Sequence, residues 1–207
     1  MSHQKGDRTQ GIKANLWIRG RLRIAIVGGA FVLAGCGSAV AAQAPTADVG
    51  PVVETKADLA TDFELTVYQG AAELGGEKAQ FSEVLAQGKP VVLNFWAGLC
   101  PPCRVEMPDL QSVYEEYKDR VLLVGLDVGP FTGLGSRDDG RQLLEALSIT
   151  YPAGTTFEPE VLTDYRVIGM PSTYFITPEG EIVESWAGLL TRDKLVELVE
   201  TLLAASG

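Results

Sequence analysis

The chain has 207 residues, of which 17 are Lys or Arg, 27 are Asp or Glu and one is His, for a net charge of −10 at neutral pH. A charged fraction of 21% and an apolar fraction of 46% are ordinary for a globular chain, which excludes global disorder; the length allows one domain with a real core and not two comfortable ones. Lys5, Arg8, Lys13, Arg19, Arg21 and Arg23 precede residue 36 against Asp7 alone, leaving 11 basic and 26 acidic residues beyond it, a net −15 that repels phosphate backbones and excludes nucleic acid as a partner.

The first 35 residues read as a targeting segment. Arg19, Arg21 and Arg23 form a basic region, and Ile24 to Leu33 is a short apolar run containing Gly28 and Gly29. That run suits the apolar region of a signal peptide and falls short of the ~20 residues a spanning helix needs. Leu33-Ala34-Gly35-Cys36 follows and resembles the lipobox of bacterial lipoproteins, which makes Cys36 the expected lipid anchor. Ala39-Val40-Ala41 offers an ordinary cleavage site instead, and an uncleaved anchor is a third reading. All three put the domain outside the cytoplasm. Residues 37–57, rich in Ala, Gly, Pro and Thr without apolar period, read as a flexible tether, and 58–207 as the folded domain.

Glu64 to Tyr68 alternates as a half-buried strand does, and Gly75-Gly76 marks a turn. Phe81, Val84 and Leu85 have the spacing of a short helix. Val91 to Trp96 is a near-continuous apolar run, predicting a strand buried on both faces. Cys100 to Lys118 is predicted helical, with Leu110, Val113, Tyr114 and Tyr117 on one face and Pro108 as a kink. Val121 to Asp127 predicts a second buried strand and Arg141 to Leu147 a helix. Ser172 to Thr177 and Glu181 to Trp186 predict a hairpin turning at Pro178-Glu179-Gly180, and Thr191 caps a last helix facing inward through Leu195, Leu198, Val199 and Leu202. A βαβ unit, a hairpin and a covering helix together argue an α/β domain of three layers.

Cys100-Pro101-Pro102-Cys103 sits where the buried strand passes into a helix. Amides at a helix N-terminus favour negative charge, so a Cys100 thiolate, the species that attacks disulfides, is stabilised there. Cys103, one turn in, is the expected resolving thiol. Neither spacer proline has an N–H, so the Cys100 sulfur loses two possible donors and is not expected to be a strong oxidant. A zinc site needs about four ligands, and the chain offers no histidine beyond His3 to complete one. A purely structural disulfide closing so small a loop adds little stability. No metal or other cofactor is expected beyond the redox-active pair itself.

Phe95 to Pro108, with the two cysteines at its centre, resembles the active-site stretch of the TlpA/ResA-like thioredoxins, membrane-anchored reductases that act outside the cytoplasm. The resemblance covers about residues 58–205 and takes in Val167-Ile168-Gly169-Met170-Pro171-Ser172-Thr173, similar to that family's cis-proline loop. It implies a thioredoxin fold, α/β/α, with a mixed central sheet and an N-terminal β extension. It implies that Pro171 is cis beside the cysteines, with the Met170 backbone available to an extended substrate segment; an ordinary trans turn is the alternative. Glu106, three residues past Cys103, matches the acidic residue the family keeps near its resolving cysteine, where burial raises its proton affinity enough to exchange protons with the Cys103 sulfur; a solvated charge near the helix start is the plain alternative. Trp96, Leu99, Pro101, Pro102 and Met170 are expected along the substrate groove, Trp96 as a shield for the thiols or simply as a core aromatic. Two departures stand out. Leu99 occupies a position where family members often carry Trp, and Asn94 one where many thioredoxins bury Asp.

The implied activity is reduction of disulfides in exported proteins, including apocytochrome c, with a membrane electron donor restoring the dithiol. A thiol peroxidase is a second reading, but its P-x-x-x-T-x-x-C pattern is absent. A copper-delivery module needs a downstream histidine, also absent, and a tethered interaction module keeps the fold without the chemistry.

Overall fold

The structure is a computed structural model that describes residues 58–207; the expected signal peptide, Cys36 anchor and tether lie outside these residues. Chain order is β1 (Glu64–Gln69), α1 (Ala71–Leu74), β2 (Lys78–Gln80), α2 (Phe81–Leu85), β3 (Val91–Trp96), α3 (Pro101–Tyr117), β4 (Leu122–Asp127), α4 (Gly129–Thr132), α5 (Arg137–Ala146), β5 (Ala153–Thr155), α6 (Val161–Asp164), β6 (Ser172–Ile176), β7 (Ile182–Ala187) and α7 (Arg192–Ala205).

The strands form one mixed sheet in the order β2-β1-β5-β4-β3-β6-β7. β3, β4 and β5 run parallel at its centre, and β6 and β7 add antiparallel beyond β3. β1 and β2 form the antiparallel N-terminal extension beside β5. Strand alternation sorts the core into two layers. Val92 and Trp96 of β3 and Leu123 of β4 point toward α3, α5 and α7. Val91, Leu93 and Phe95, with Leu122, Val124 and Leu126, point toward α2 and α6. The three-layer α/β/α thioredoxin arrangement expected from the sequence is therefore present, and β3 is buried along its whole length.

Two features differ from expectation. β5 was not foreseen: three small residues between a Pro and a Thr carry no periodic signal, and the strand exists because β4 and β1 supply partners on both sides. α5 starts at Arg137 and not Arg141, because Ser136 and Asp139 form a reciprocal capping box. As expected, α3 runs through Pro108 as one helix of 17 residues. Pro108 and Arg104 are both exposed, so the carbonyl left without a donor lies on the solvent side.

Candidate active site

β3 ends at Trp96, and Ala97-Gly98-Leu99 turns the chain into α3. Gly98 is required in this turn: a Cβ there would lie 2.5 Å from the backbone of Asp139 and Gly140 in α5. Cys100 is the N-cap of α3, with extended backbone, and its Sγ accepts a hydrogen bond from the Cys103 amide at 3.3 Å. That amide is the first the helix possesses, because Pro101 and Pro102 supply none. Cys100 and Cys103 are joined by a disulfide, with Cα atoms 5.3 Å apart. The site thus lies at the carboxyl end of a central parallel strand, the usual place for function in an open α/β sheet.

The Met170–Pro171 peptide is cis, as expected, and the Met170 carbonyl oxygen lies 3.8 Å from Cys100 Sγ. The Pro171 carbonyl accepts from the Gly188 amide at 2.8 Å, tying the cis-proline loop to the turn after β7. Pro101, Pro102 and Leu99 are exposed around the pair and Met170 is half-buried, in keeping with a groove. Trp96 is not exposed in it: the ring is fully buried, in the core cluster that also holds Cys100 and Cys103. Strand alternation explains the outcome, since Trp96 shares a face with Val92 and Asn94 and points at the helices, not at the mouth of the turn.

Glu106 is 1% exposed, which overturns the solvated-charge alternative. Its Oε1 accepts from Asn94 Nδ2 at 2.9 Å and its Oε2 from the Leu190 amide at 2.6 Å. Burial pushes its carboxyl up to about 7, against the pull of those two donors, with a smaller upward push from Asp109. Asn94 Nδ2 also donates to Thr173 Oγ1 at 2.9 Å, while Asn94 Oδ1 is buried without a partner. Asn94 and Thr173 face each other across the β3–β6 pair. A carboxyl that exchanges its proton near neutrality, one helical turn from Cys103, is thus held from three elements: α3, β3 and the loop entering α7.

Sequence reasoning missed Thr173 and the Leu190 amide. Thr173 could have been found from its place two residues after Pro171, on the same face as Asn94 once the strands pair; a backbone amide leaves no trace in sequence. It also missed Asp127, the buried last residue of β4. Its carboxylate accepts from the Gly129 amide at 2.9 Å and from Tyr68 Oη at 3.0 Å. Burial raises its proton affinity, while those donors and the charges of Arg137 and Arg141 oppose the rise.

A redox-active cysteine pair at a helix start, on a thioredoxin-type sheet with a cis-proline loop beside it, defines the class of thiol–disulfide oxidoreductases. The chain belongs to the AhpC/TSA family, which matches residues 57–185, and within it is a thiol–disulfide oxidoreductase of the ResA/StoA type. It is 38% identical over 141 residues to the thiol-disulfide oxidoreductase ResA of Oceanobacillus iheyensis, covering 67% of this chain and 68% of that one. It is 29% identical over 119 residues to the sporulation thiol-disulfide oxidoreductase A of Bacillus subtilis, covering 55% of this chain and 68% of that one. Among solved structures, StoA from Bacillus subtilis aligns with a TM-score of 0.55 at 24% identity, over 69% of this chain and 98% of that one. A thiol:disulfide interchange protein from Chlorobium tepidum aligns with a TM-score of 0.56 at 19% identity, over 72% and 99%. These two structural likenesses support the fold.

Proposed function

We propose that this chain works outside the cytoplasm, held at a membrane through a lipid on Cys36, as a reductant of disulfides in exported proteins, apocytochrome c among them. The observation that carries the chemistry is the Cys100–Cys103 disulfide at the head of α3 with the buried Glu106 one turn further in. In the reduced protein, the Cys100 thiolate attacks one sulfur of a substrate disulfide, forming a mixed disulfide and releasing one substrate thiolate. Met170, whose carbonyl lies beside Cys100 Sγ, offers its backbone to the extended substrate segment. Glu106 takes the proton from Cys103, whose thiolate attacks Cys100 Sγ and closes the internal disulfide as the second substrate thiolate leaves. Two electrons pass from the dithiol to the substrate. No cofactor takes part, and a membrane electron donor returns the pair to the dithiol. The apolar run before Cys36 and the lipobox pattern support the location; no helix among the described residues is long and apolar enough to cross a membrane.

Equilibration of the full-length protein with glutathione buffers of graded ratio tests the direction. A reduction potential near that of thioredoxin, about −270 mV, is the expected result; a value near about −120 mV, typical of a dedicated oxidant, would reverse the assignment.

A further inference from the structure

Cys100 lines one of two adjoining grooves that share Leu99. The nearer, of about 210 Å³, is lined by Leu99, Cys100 and Arg104. The farther, of about 710 Å³, runs from Leu99 past Pro130 to Arg137 and Arg141. Leu99 is 59% exposed and its amide is tied to the Leu134 carbonyl at 2.8 Å, so an apolar side chain stands fixed at the junction.

The charge along this path is opposite to that of the domain. Residues 58–207 contain ten Lys and Arg against 24 Asp and Glu. Seven of the ten bases form an ion pair within the described residues, including Arg141 with Asp138 at 3.2 Å. Of the other three, Lys89 donates to the Lys118 carbonyl away from the site. Arg104 and Arg137 remain, and each lines one of the two grooves. Arg137 is held in place by stacking over Phe157 at 4.0 Å and by donating to the Thr156 carbonyl at 3.4 Å; Arg141 lies over the Tyr68 ring at 4.3 Å. Such pre-ordered guanidinium groups lose little freedom on binding an anion. The buried Asp127 feels both charges, but hydrogen bonds from Gly129 and Tyr68 already serve its carboxylate. At the start of α5 the Ser136 and Asp139 amides are already taken by the reciprocal capping box, so the guanidinium groups carry the charge a ligand meets here. With Asp138 counted, the grooves keep a net charge of +2 in a domain that is acidic elsewhere.

We propose that this path selects the substrate: an extended polypeptide segment carrying an Asp or Glu a few residues from its disulfide cysteine, with an apolar side chain against Leu99. An extended segment rises ~3.3 Å per residue, so a carboxylate two to four residues from the reacting cysteine stands roughly 7–13 Å along it from the sulfur. The proposal rests on the exchange reaction above and names the sequence class it prefers.

The test uses the reduced full-length protein and three fluorogenic disulfide-linked peptides, identical except for Asp, Asn or Lys two residues from the cysteine. The rate constants are expected in the order Asp, Asn, Lys, with about tenfold between the extremes at low salt, the size of two or three exposed charge contacts, and less at high salt. Arg104→Gln with Arg137→Gln is expected to shrink the ratio to below about twofold, and Lys89→Gln to leave it intact. Arg104→Gln alone, at an exposed position, is expected to lower it partway, which keeps the test decisive if the double variant does not fold. Equal rates for the three peptides, a preference for Lys, or a ratio unmoved by the arginine changes would overturn the proposal while leaving the exchange reaction standing. Failure to reduce any of the three would overturn the exchange reaction itself, and this proposal with it.

Discussion

Glu106→Gln tests the physics of the site without reference to substrate. The carboxyl titrates at about 7 in the fold against an ordinary 4.5. The folded state therefore binds this proton more tightly than the unfolded chain does. The stability it contributes is complete below about pH 4.5, declines as pH rises, and is gone above about pH 7. The gap corresponds to about 3 kcal/mol. A glutamine is neutral throughout and carries no such dependence. It also fits the site: its carbonyl can accept from the Leu190 amide, and its amide meets Asn94 once the Asn94 side chain turns over. That turn presents Asn94 Oδ1, buried and unpartnered as it stands, to the new N–H and to the Thr173 hydroxyl. In denaturant unfolding of the oxidised protein, the two proteins are expected to be similar in stability near pH 4.5. The variant is expected to gain about 3 kcal/mol on the parent by pH 8. Asp127, the other buried carboxyl, is common to both and cancels. A difference that stays level within about 1 kcal/mol across that range would refute the reasoning.

Asn94→Leu removes a donor that holds the Glu106 carboxyl down; the Glu106 resonance, followed by carbon NMR, is expected to titrate at a higher pH than in the parent. Gly125→Ala places a Cβ 2.9 Å from Trp96 Nε1 and 3.0 Å from the Tyr151 ring; calorimetry is expected to show a loss of roughly 1–3 kcal/mol, as for other overpacked cores. Thr191→Ala removes the side chain that caps α7 by accepting from the Lys194 amide and is expected to cost about 1 kcal/mol in denaturant unfolding.

The parts of the site legible in the sequence were those whose signal is local. The passage from an apolar run into a helix, with two cysteines at the junction, gave Cys100 and Cys103 their places; Glu106 came from the family resemblance, and only its burial in the fold decides between the proton-exchanging and the solvated reading. Thr191 and the Pro178-Glu179-Gly180 hairpin followed from cap and turn chemistry. The parts that were hidden depend on distant partners. β5 is a strand only because β1 and β4 bracket its three residues. The second hydrogen bond to Glu106 comes from an amide 84 residues away, and Asp127 is explained by Tyr68, 59 residues earlier. Trp96 was ambiguous for a related reason: the strand's direction was readable, but which of its faces met the helices and which met the groove was a property of the assembled sheet.

The division of labour between the two cysteines is tested most directly by trapping. Cys103→Ser and Cys100→Ser variants of the full-length protein, each reduced and mixed with a disulfide-bonded test protein, can be resolved on non-reducing gels with the adduct mapped by mass spectrometry. The account predicts a stable mixed disulfide through Cys100 in the Cys103→Ser protein and none in the Cys100→Ser protein. Adducts forming through Cys103 as readily as through Cys100, or through neither, would contradict it.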